Sequence, residues 1–118
     1  MGCDFCTVTC LFGKSYRQKP ISNVLEELQA TRAENYFFVY DNIVCCPEYS
    51  RELFRALKKE APDIHWFSQA STTILNHPDL IELAAESGCT SLFLGIESIS
   101  DEALKGVHKG FNKVEKYQ

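Results

Sequence analysis

The 118-residue sequence lacks the long apolar run that a membrane span needs, since no hydrophobic stretch approaches about 18 residues. It lacks the basic-then-apolar opening of a signal peptide, and it has no tract rich in proline, glycine, serine or like charge. Its 12 basic and 16 acidic side chains give a net charge of −4 and are scattered. These absences argue against a membrane span, a secreted form, a disordered tail and a nucleic-acid partner.

Cysteine is the residue type that the sequence has in excess. Of six cysteines, three lie near the N-terminus, two are adjacent at Cys45 and Cys46, and Cys89 stands alone. A secreted disulfide scaffold is typically rich in loops, whereas this sequence is rich in regular structure. We therefore predict a reducing, cytoplasmic setting, with metal or cluster chemistry at the N-terminal group of Cys3, Cys6 and Cys10.

Helical and extended patterns alternate along the chain. They predict four helices and three strands: helices over about 20–32, 49–61, 78–88 and 100–110, strands over 36–40, 64–67 and 91–94. Pro20 and Pro78 suit helix starts, Gly88 suits a helix end, and Ser100 suits an N-cap. The strand starts lie 28 and 27 residues apart, one strand-plus-helix unit each, which predicts an α/β fold with a parallel sheet.

Polar residues follow each predicted strand. They occur at 41–42, 68–71 and 95–98, whereas the strands themselves are apolar. Ligands of parallel sheets gather at the carboxyl ends of the strands. These three clusters are therefore the candidate site.

The pair Cys3 and Cys6, spaced Cys-x-x-Cys, serves zinc, thiol redox or iron–sulfur sites equally well when taken alone. Together with later segments in the same order, it resembles radical S-adenosylmethionine (radical SAM) enzymes, of the type often fused to a cobalamin-binding domain. The segments that carry the resemblance are 3–9, 12–13, 16–17, Pro20, 38–43, 69–71 and 93–98. They extend over nearly the whole chain.

This resemblance implies a partial TIM-type barrel of six βα units, (βα)6, that holds a [4Fe-4S] cluster. In the family, three cysteines and S-adenosylmethionine bind the cluster, and one electron from it cleaves the cofactor to a 5′-deoxyadenosyl radical. The chain would then be a partial radical SAM domain. Residues 1–19 would form the cluster-binding loop, 20–110 three and a half βα units, and 111–118 a tail.

The resemblance also implies a set of cofactor-binding residues. Asp41, at the end of a strand, matches the group that receives the amino moiety of S-adenosylmethionine. Glu97 matches a polar contact to the ribose or the methionine part. Gln69 and Ser71 lie at the end of the middle strand, between the strands that lead to Asp41 and Glu97. They are expected to line the same pocket. The simpler alternative for Asp41 is a helix cap or a loop acid.

The cysteine spacing departs from the family pattern. Cys3 and Cys6 match the second and third cysteines of Cys-x-x-x-Cys-x-x-Cys, so the first would lie two residues before Met1. We therefore expect a truncated segment that is inactive alone. Cys10 is then either a substitute ligand or a buried thiol.

Other interpretations stay open. Cys45 and Cys46 suit either a metal or redox role or plain loop thiols, and Cys89 suits the core. The chain as a whole could be a small zinc- or thiol-binding α/β module, or a non-catalytic fragment that pairs through open sheet edges. The strand over 36–40 is apolar on both faces, so a partial barrel would expose its inner face, and we expect self-association. The substrate, a small molecule or a lipid-like one, is not specified by the sequence.

Overall fold

A computed structural model of the protein describes residues 11, 17–107 and 112–116, and every structural statement below concerns these residues. They belong to two compact units. One unit is Gln18–Leu94, and the segment from Gly95 onward belongs to the other. Within the described ranges, no helix combines the length and hydrophobicity that crossing a bilayer requires.

Three strands of the first unit form one parallel sheet. They are β1 (Asn35–Phe38), β2 (His65–Ala70) and β3 (Cys89–Leu94), and they lie in the order β1-β2-β3. This confirms the α/β class with parallel βα repeats. The sheet is open, as a part of a βα barrel would be.

One helix precedes the first strand, two more lie between successive strands, and all three pack on one face of the sheet. They are α1 (Ile21–Thr31), α2 (Pro47–Glu60) and α3 (Pro78–Glu86), and a 3-10 helix at Thr72–Asn76 precedes α3. Proline opens α2 and α3, where the absent N–H costs nothing. The helix bounds agree with the sequence patterns to within two residues, but the 3-10 helix was not predicted.

Trp66 of β2 lies at the centre of the core and is fully buried. The rings of Phe38 and Phe54 stack on it, each with its centroid 5.2 Å from that of Trp66. The indole N–H donates to the carbonyl oxygen of Ser87 at 2.9 Å, which satisfies its one polar atom. Residues from α1, α2 and α3 complete the same cluster, among them Leu28, Leu53, Leu57, Leu80 and Ala84.

The opposite face of the sheet carries a row of aromatic rings that no helix of the first unit covers. Phe37, Phe67 and Phe93, here called the aromatic face, come from adjacent strands. Phe37 and Phe67 stack with centroids 4.9 Å apart, and Phe93 meets Phe67 edge-on at 6.0 Å. Phe37 is 44% exposed and Phe93 is 59% exposed. The expected exposure of the inner strand face is confirmed.

The pairing of β2 with β3 contains a one-residue register shift. Trp66 pairs with Cys89, whereas the next residue, Phe67, pairs with Ser91, so Thr90 is skipped. The Thr90 hydroxyl donates to the carbonyl oxygen of Trp66 at 3.2 Å. The strand therefore begins two residues earlier than predicted, and Cys89 lies at its first position.

In the second unit, Ser100 caps a short helix, α4 (Asp101–Gly106), as predicted: its hydroxyl accepts from the N–H of Ala103 at 3.4 Å. The helix ends at Gly106 with Val107 as its C-cap, so the predicted end near Gly110 is wrong. Asn112 is buried, and its amide donates to the carbonyl oxygens of Gly95 and Ile96 at 2.9 and 3.0 Å.

Candidate functional site

The loop after β1 is anchored on α2 just before Asp41. The backbone N–H of Tyr40 donates to the carbonyl oxygen of Phe38 at 2.8 Å, so the chain turns sharply where the strand ends. The hydroxyls of Tyr40 and Tyr49 lie 3.0 Å apart, and Tyr49 donates onward to the carbonyl oxygen of Lys19 at 2.6 Å. Strand β1 is shorter than the predicted 36–40 because of this turn.

Asn42 connects the carboxyl ends of β1 and β2. Its side-chain oxygen accepts from the backbone N–H of Ser71 at 3.0 Å, and its amide nitrogen donates to the Ser71 hydroxyl at 3.1 Å. The backbone N–H of Ile43 donates to the carbonyl oxygen of Gln69 at 2.9 Å. The structure therefore brings the loop that carries Asp41 next to the end of β2, where Gln69 and Ser71 lie, as expected for parallel strands.

Asp41 is exposed at this end of the sheet. Among the residues that the structure describes, its carboxylate makes no hydrogen bond and no ion pair. The N-cap of α2 is Cys46, which excludes Asp41 as the cap of that helix. No described residue therefore competes for the Asp41 carboxylate.

Gln69 and Ser71 differ in what they offer a ligand. Gln69 lies within β2, not after it, and its side chain is exposed. Its β3 partner in the ladder is Phe93, so Gln69 belongs to the same side of the sheet as the aromatic face. Ser71 is half-buried, and its hydroxyl lies 2.5 Å from that of Thr73. Gln69 is thus the more accessible of the two.

Glu97 belongs to the second unit and has a left-handed backbone, with φ at 66°. A non-glycine residue in this conformation costs about 1–2 kcal/mol, and such strain concentrates at functional sites. The conformation is compatible with the predicted ligand-binding role, which stays a prediction.

The predicted cluster ligands, Cys3, Cys6 and Cys10, lie outside the described residues. The three described cysteines, Cys45, Cys46 and Cys89, are half-buried free thiols. Across 17–107 and 112–116, no three histidine, cysteine or acidic side chains gather as a metal site would require.

Burial raises the pKa of the Cys89 thiol, and a backbone hydrogen bond with Ser91 lowers it in part. The net direction is upward, so the thiol stays protonated to higher pH than an exposed one. Cys89 packs against the hydrophobic core at the start of β3. This agrees with the core role that the sequence suggested.

Sequence reasoning placed Asn42 in the polar cluster but gave it no function. Its role depends on a partner 29 residues away, which no local pattern specifies. The one available signal was an asparagine directly after a strand, a residue type that often bonds to nearby backbone groups.

Comparison with known proteins extends over the whole chain. The model of the radical SAM superfamily matches residues 1–118. Bacteriochlorophyllide d C-12(1)-methyltransferase of Chlorobaculum tepidum is 34% identical, over 100% of this chain and 27% of its own length. Cytidylyl-2-hydroxyethylphosphonate methyltransferase of Streptomyces wedmorensis is 31% identical, over 91% and 21%. Hopanoid C-2 methylase of Rhodopseudomonas palustris is 27% identical, over 93% and 22%. The chain thus spans about a quarter of the length of these relatives.

Proposed function

The chain belongs to the radical SAM superfamily, and from that membership we propose that it binds S-adenosylmethionine at the carboxyl ends of β1 and β2, as part of a methyltransferase. The observation that carries the proposal is the exposed carboxylate of Asp41, which bonds to no described residue and lies in the loop that Asn42 joins to Ser71. The relatives named above support the methyltransferase class, since each is named as a methyltransferase or methylase.

In this proposal Asp41 accepts a hydrogen bond from the ammonium group of S-adenosylmethionine. A charge-assisted hydrogen bond of this kind contributes about 1.5–3 kcal/mol, more than a neutral one. Gln69 offers both a donor and an acceptor to the polar parts of the cofactor. Glu97 is proposed as a further polar contact, on the resemblance alone.

The cluster ligands are proposed to be Cys3 and Cys6, with Cys10 as the third thiolate. A [4Fe-4S] cluster held by these thiolates would supply the electron that cleaves the carbon–sulfur bond of S-adenosylmethionine. A reducing, cytoplasmic compartment suits these thiols, and the free state of Cys45, Cys46 and Cys89 is compatible with it. Cobalamin is proposed as an additional cofactor of the complete enzyme, and no described residue is assigned to it.

An apolar small molecule or lipid-like compound is the proposed substrate class. The aromatic face supports this, because its rings lie on the same side of the sheet as Gln69 and are open to solvent. Two of the relatives are named for bacteriochlorophyllide and hopanoid methylation.

Binding of S-adenosylmethionine tests the cofactor site. The chain is reconstituted anaerobically with iron and sulfide, and its affinity for radiolabelled S-adenosylmethionine is measured by equilibrium dialysis. We expect Asp41→Ala to weaken binding by about tenfold or more, because it removes a charge-assisted hydrogen bond. The matched control is Asp63→Ala, another exposed aspartate, in the turn before β2. Equal affinity of Asp41→Ala and the parent chain would contradict the proposal.

Iron content tests the cluster ligands. Alanine at Cys3 or Cys6 should lower the iron bound per chain and the broad absorbance in the visible blue, whereas Cys89→Ala should change neither. Loss of iron in Cys10→Ala identifies Cys10 as the third ligand, and retention identifies a plain thiol. About one zinc per chain, lost together with the fold on chelation, would instead support the small zinc module.

A further inference from the structure

The hydrogen bonds between Asn42–Ile43 and Gln69–Ser71 lie beyond the end of the β1–β2 ladder. The last residue pair of that ladder is Phe38 with Ser68. Past this pair, the segments that follow β1 and β2 stay joined by a backbone hydrogen bond from Ile43 to Gln69. Two further hydrogen bonds join Asn42 to Ser71. The Asn42 side chain thus continues the connection after the strand itself has turned away.

An amide side chain suits this task because it donates and accepts at once. The Asn42 oxygen accepts from the backbone N–H of Val44 at 3.3 Å as well as from Ser71. It therefore fixes its own loop and the neighbouring one through the same atom. Asn42 is half-buried, so these bonds are partly shielded from competing water.

Asp41 lies between two anchored residues, while its own side chain bonds to no residue in the described part of the chain. Tyr40, before it, contacts Tyr49 of α2, and Asn42, after it, bonds to Ser71. The backbone at 40 and 42 therefore determines where the Asp41 carboxylate stands.

We propose that Asn42 is a positioning residue, which holds the Asp41 carboxylate beside Gln69 and Ser71 in the geometry that receives the ammonium group of S-adenosylmethionine. This inference rests on the proposed function. In this inference the Asn42 side chain does not touch the cofactor, yet it sets the affinity for the amino acid part of S-adenosylmethionine.

A double-mutant cycle tests the inference in the reconstituted chain. The variants are Asp41→Ala, Asn42→Ala and the combination of both. The ligands are S-adenosylmethionine and 5′-methylthioadenosine, which keeps the nucleoside and the sulfur but lacks the amino acid part. We expect Asn42→Ala to weaken S-adenosylmethionine about fivefold or more, to leave 5′-methylthioadenosine unchanged, and to add nothing once Asp41 is alanine.

Hydrogen exchange at the Ser71 amide reports the connection without any ligand. Asn42→Ala should accelerate this exchange, because the N–H loses its acceptor. Asn42→Asp keeps an acceptor for the same N–H and should restore the protection. If Asn42→Ala does not fold, Asn42→Ser takes its place in the cycle, since a serine hydroxyl is too short to reach Ser71 from the same backbone position.

The outcomes separate this inference from the proposed function. If Asp41→Ala leaves the affinity for S-adenosylmethionine unchanged, the proposed function fails and the inference fails with it. If Asp41→Ala weakens binding but Asn42→Ala weakens both ligands equally, or adds its full effect to Asp41→Ala, only the inference is overturned. Unchanged exchange of the Ser71 amide in Asn42→Ala also overturns the inference alone.

Discussion

Gly88 and Ile64 approach each other so closely that a β-carbon on Gly88 would lie 2.1 Å from the carbonyl oxygen of Ile64. The backbone of Gly88 is also left-handed, with φ at 91°. Its carbonyl oxygen accepts from the N–H of Trp66 at 2.9 Å. The turn from α3 into β3 thus passes directly against the start of β2, and only glycine fits there.

Gly88→Ala should lower the free energy of unfolding by about 3 kcal/mol or more, because it combines a backbone clash with an unfavourable φ. The matched control is Gly106→Ala, whose β-carbon would have no neighbour within 4 Å. That helical substitution should be neutral or stabilising by up to about 1 kcal/mol. Urea unfolding followed by circular dichroism measures both, and similar stabilities would contradict the expected clash.

Trp66→Ala should destabilise the protein by about 3–5 kcal/mol, since it leaves a large cavity between Phe38 and Phe54. Trp66→Phe should cost less, about 1–3 kcal/mol, because it fills most of the space but leaves the carbonyl oxygen of Ser87 without the indole donor. Circular dichroism during urea unfolding is the suitable measurement, since Trp66 is the only tryptophan and its fluorescence is lost. A larger loss for phenylalanine than for alanine would show that the core is not organised around this ring.

The ion pair between Arg51 and Asp79 predicts a loss of stability in acid. The hydrogen bond from Arg51, 2.5 Å long, lowers the pKa of the Asp79 carboxyl. Because the folded pKa lies below the ordinary value, the contribution of the pair is present above about pH 4 and is lost as the pH falls through the folded pKa.

Asp79→Asn should therefore lower the midpoint of urea unfolding slightly at pH 7, and this difference from the parent chain should vanish in acid. The effect is small because the pair is exposed, and molar salt should reduce it further. Arg51→Ala should give the same profile. A difference that grows toward low pH would contradict the direction of the pKa shift.

The aromatic face predicts self-association of the isolated chain. Burying one phenylalanine at an interface contributes about 1.5–3 kcal/mol, so Phe93→Ser should raise the dissociation constant about tenfold or more. Ile81→Ser is the matched control, since Ile81 is 43% exposed but lies on α3, away from this face. Sedimentation velocity over a range of concentrations measures both variants. A compact monomer of the parent chain at every concentration would overturn the prediction.

The order of the strands and α-helices in the first unit could be predicted from the sequence because each has a strong local signal. Pro78 marks the start of α3, and Gly88 marks its end. The carboxyl-end cluster followed from the parallel topology alone. These features depend on residues that are close together in the sequence, so they can be recognised from one sequence without the structure.

The remaining features depend on tertiary contacts. Strand β1 ends at Phe38 because Tyr40 turns back to it, although 36–40 is uniformly apolar and aromatic. The Asn42 to Ser71 bonds join residues 29 apart. The ligand roles of Cys3, Cys6 and Cys10 lie outside the described residues and stay predictions.

The skipped residue Thr90 reverses the alternation of side chains between the two faces of β3. Alternation from Cys89 without it would turn Leu92 toward the open side and Phe93 toward the helices. With it, Leu92 pairs with Ser68 and packs into the core, and Phe93 pairs with Gln69 on the open side. The chemistry of both surfaces of this strand therefore depends on one threonine that pairs with nothing in the ladder, and removing it would exchange the two surfaces.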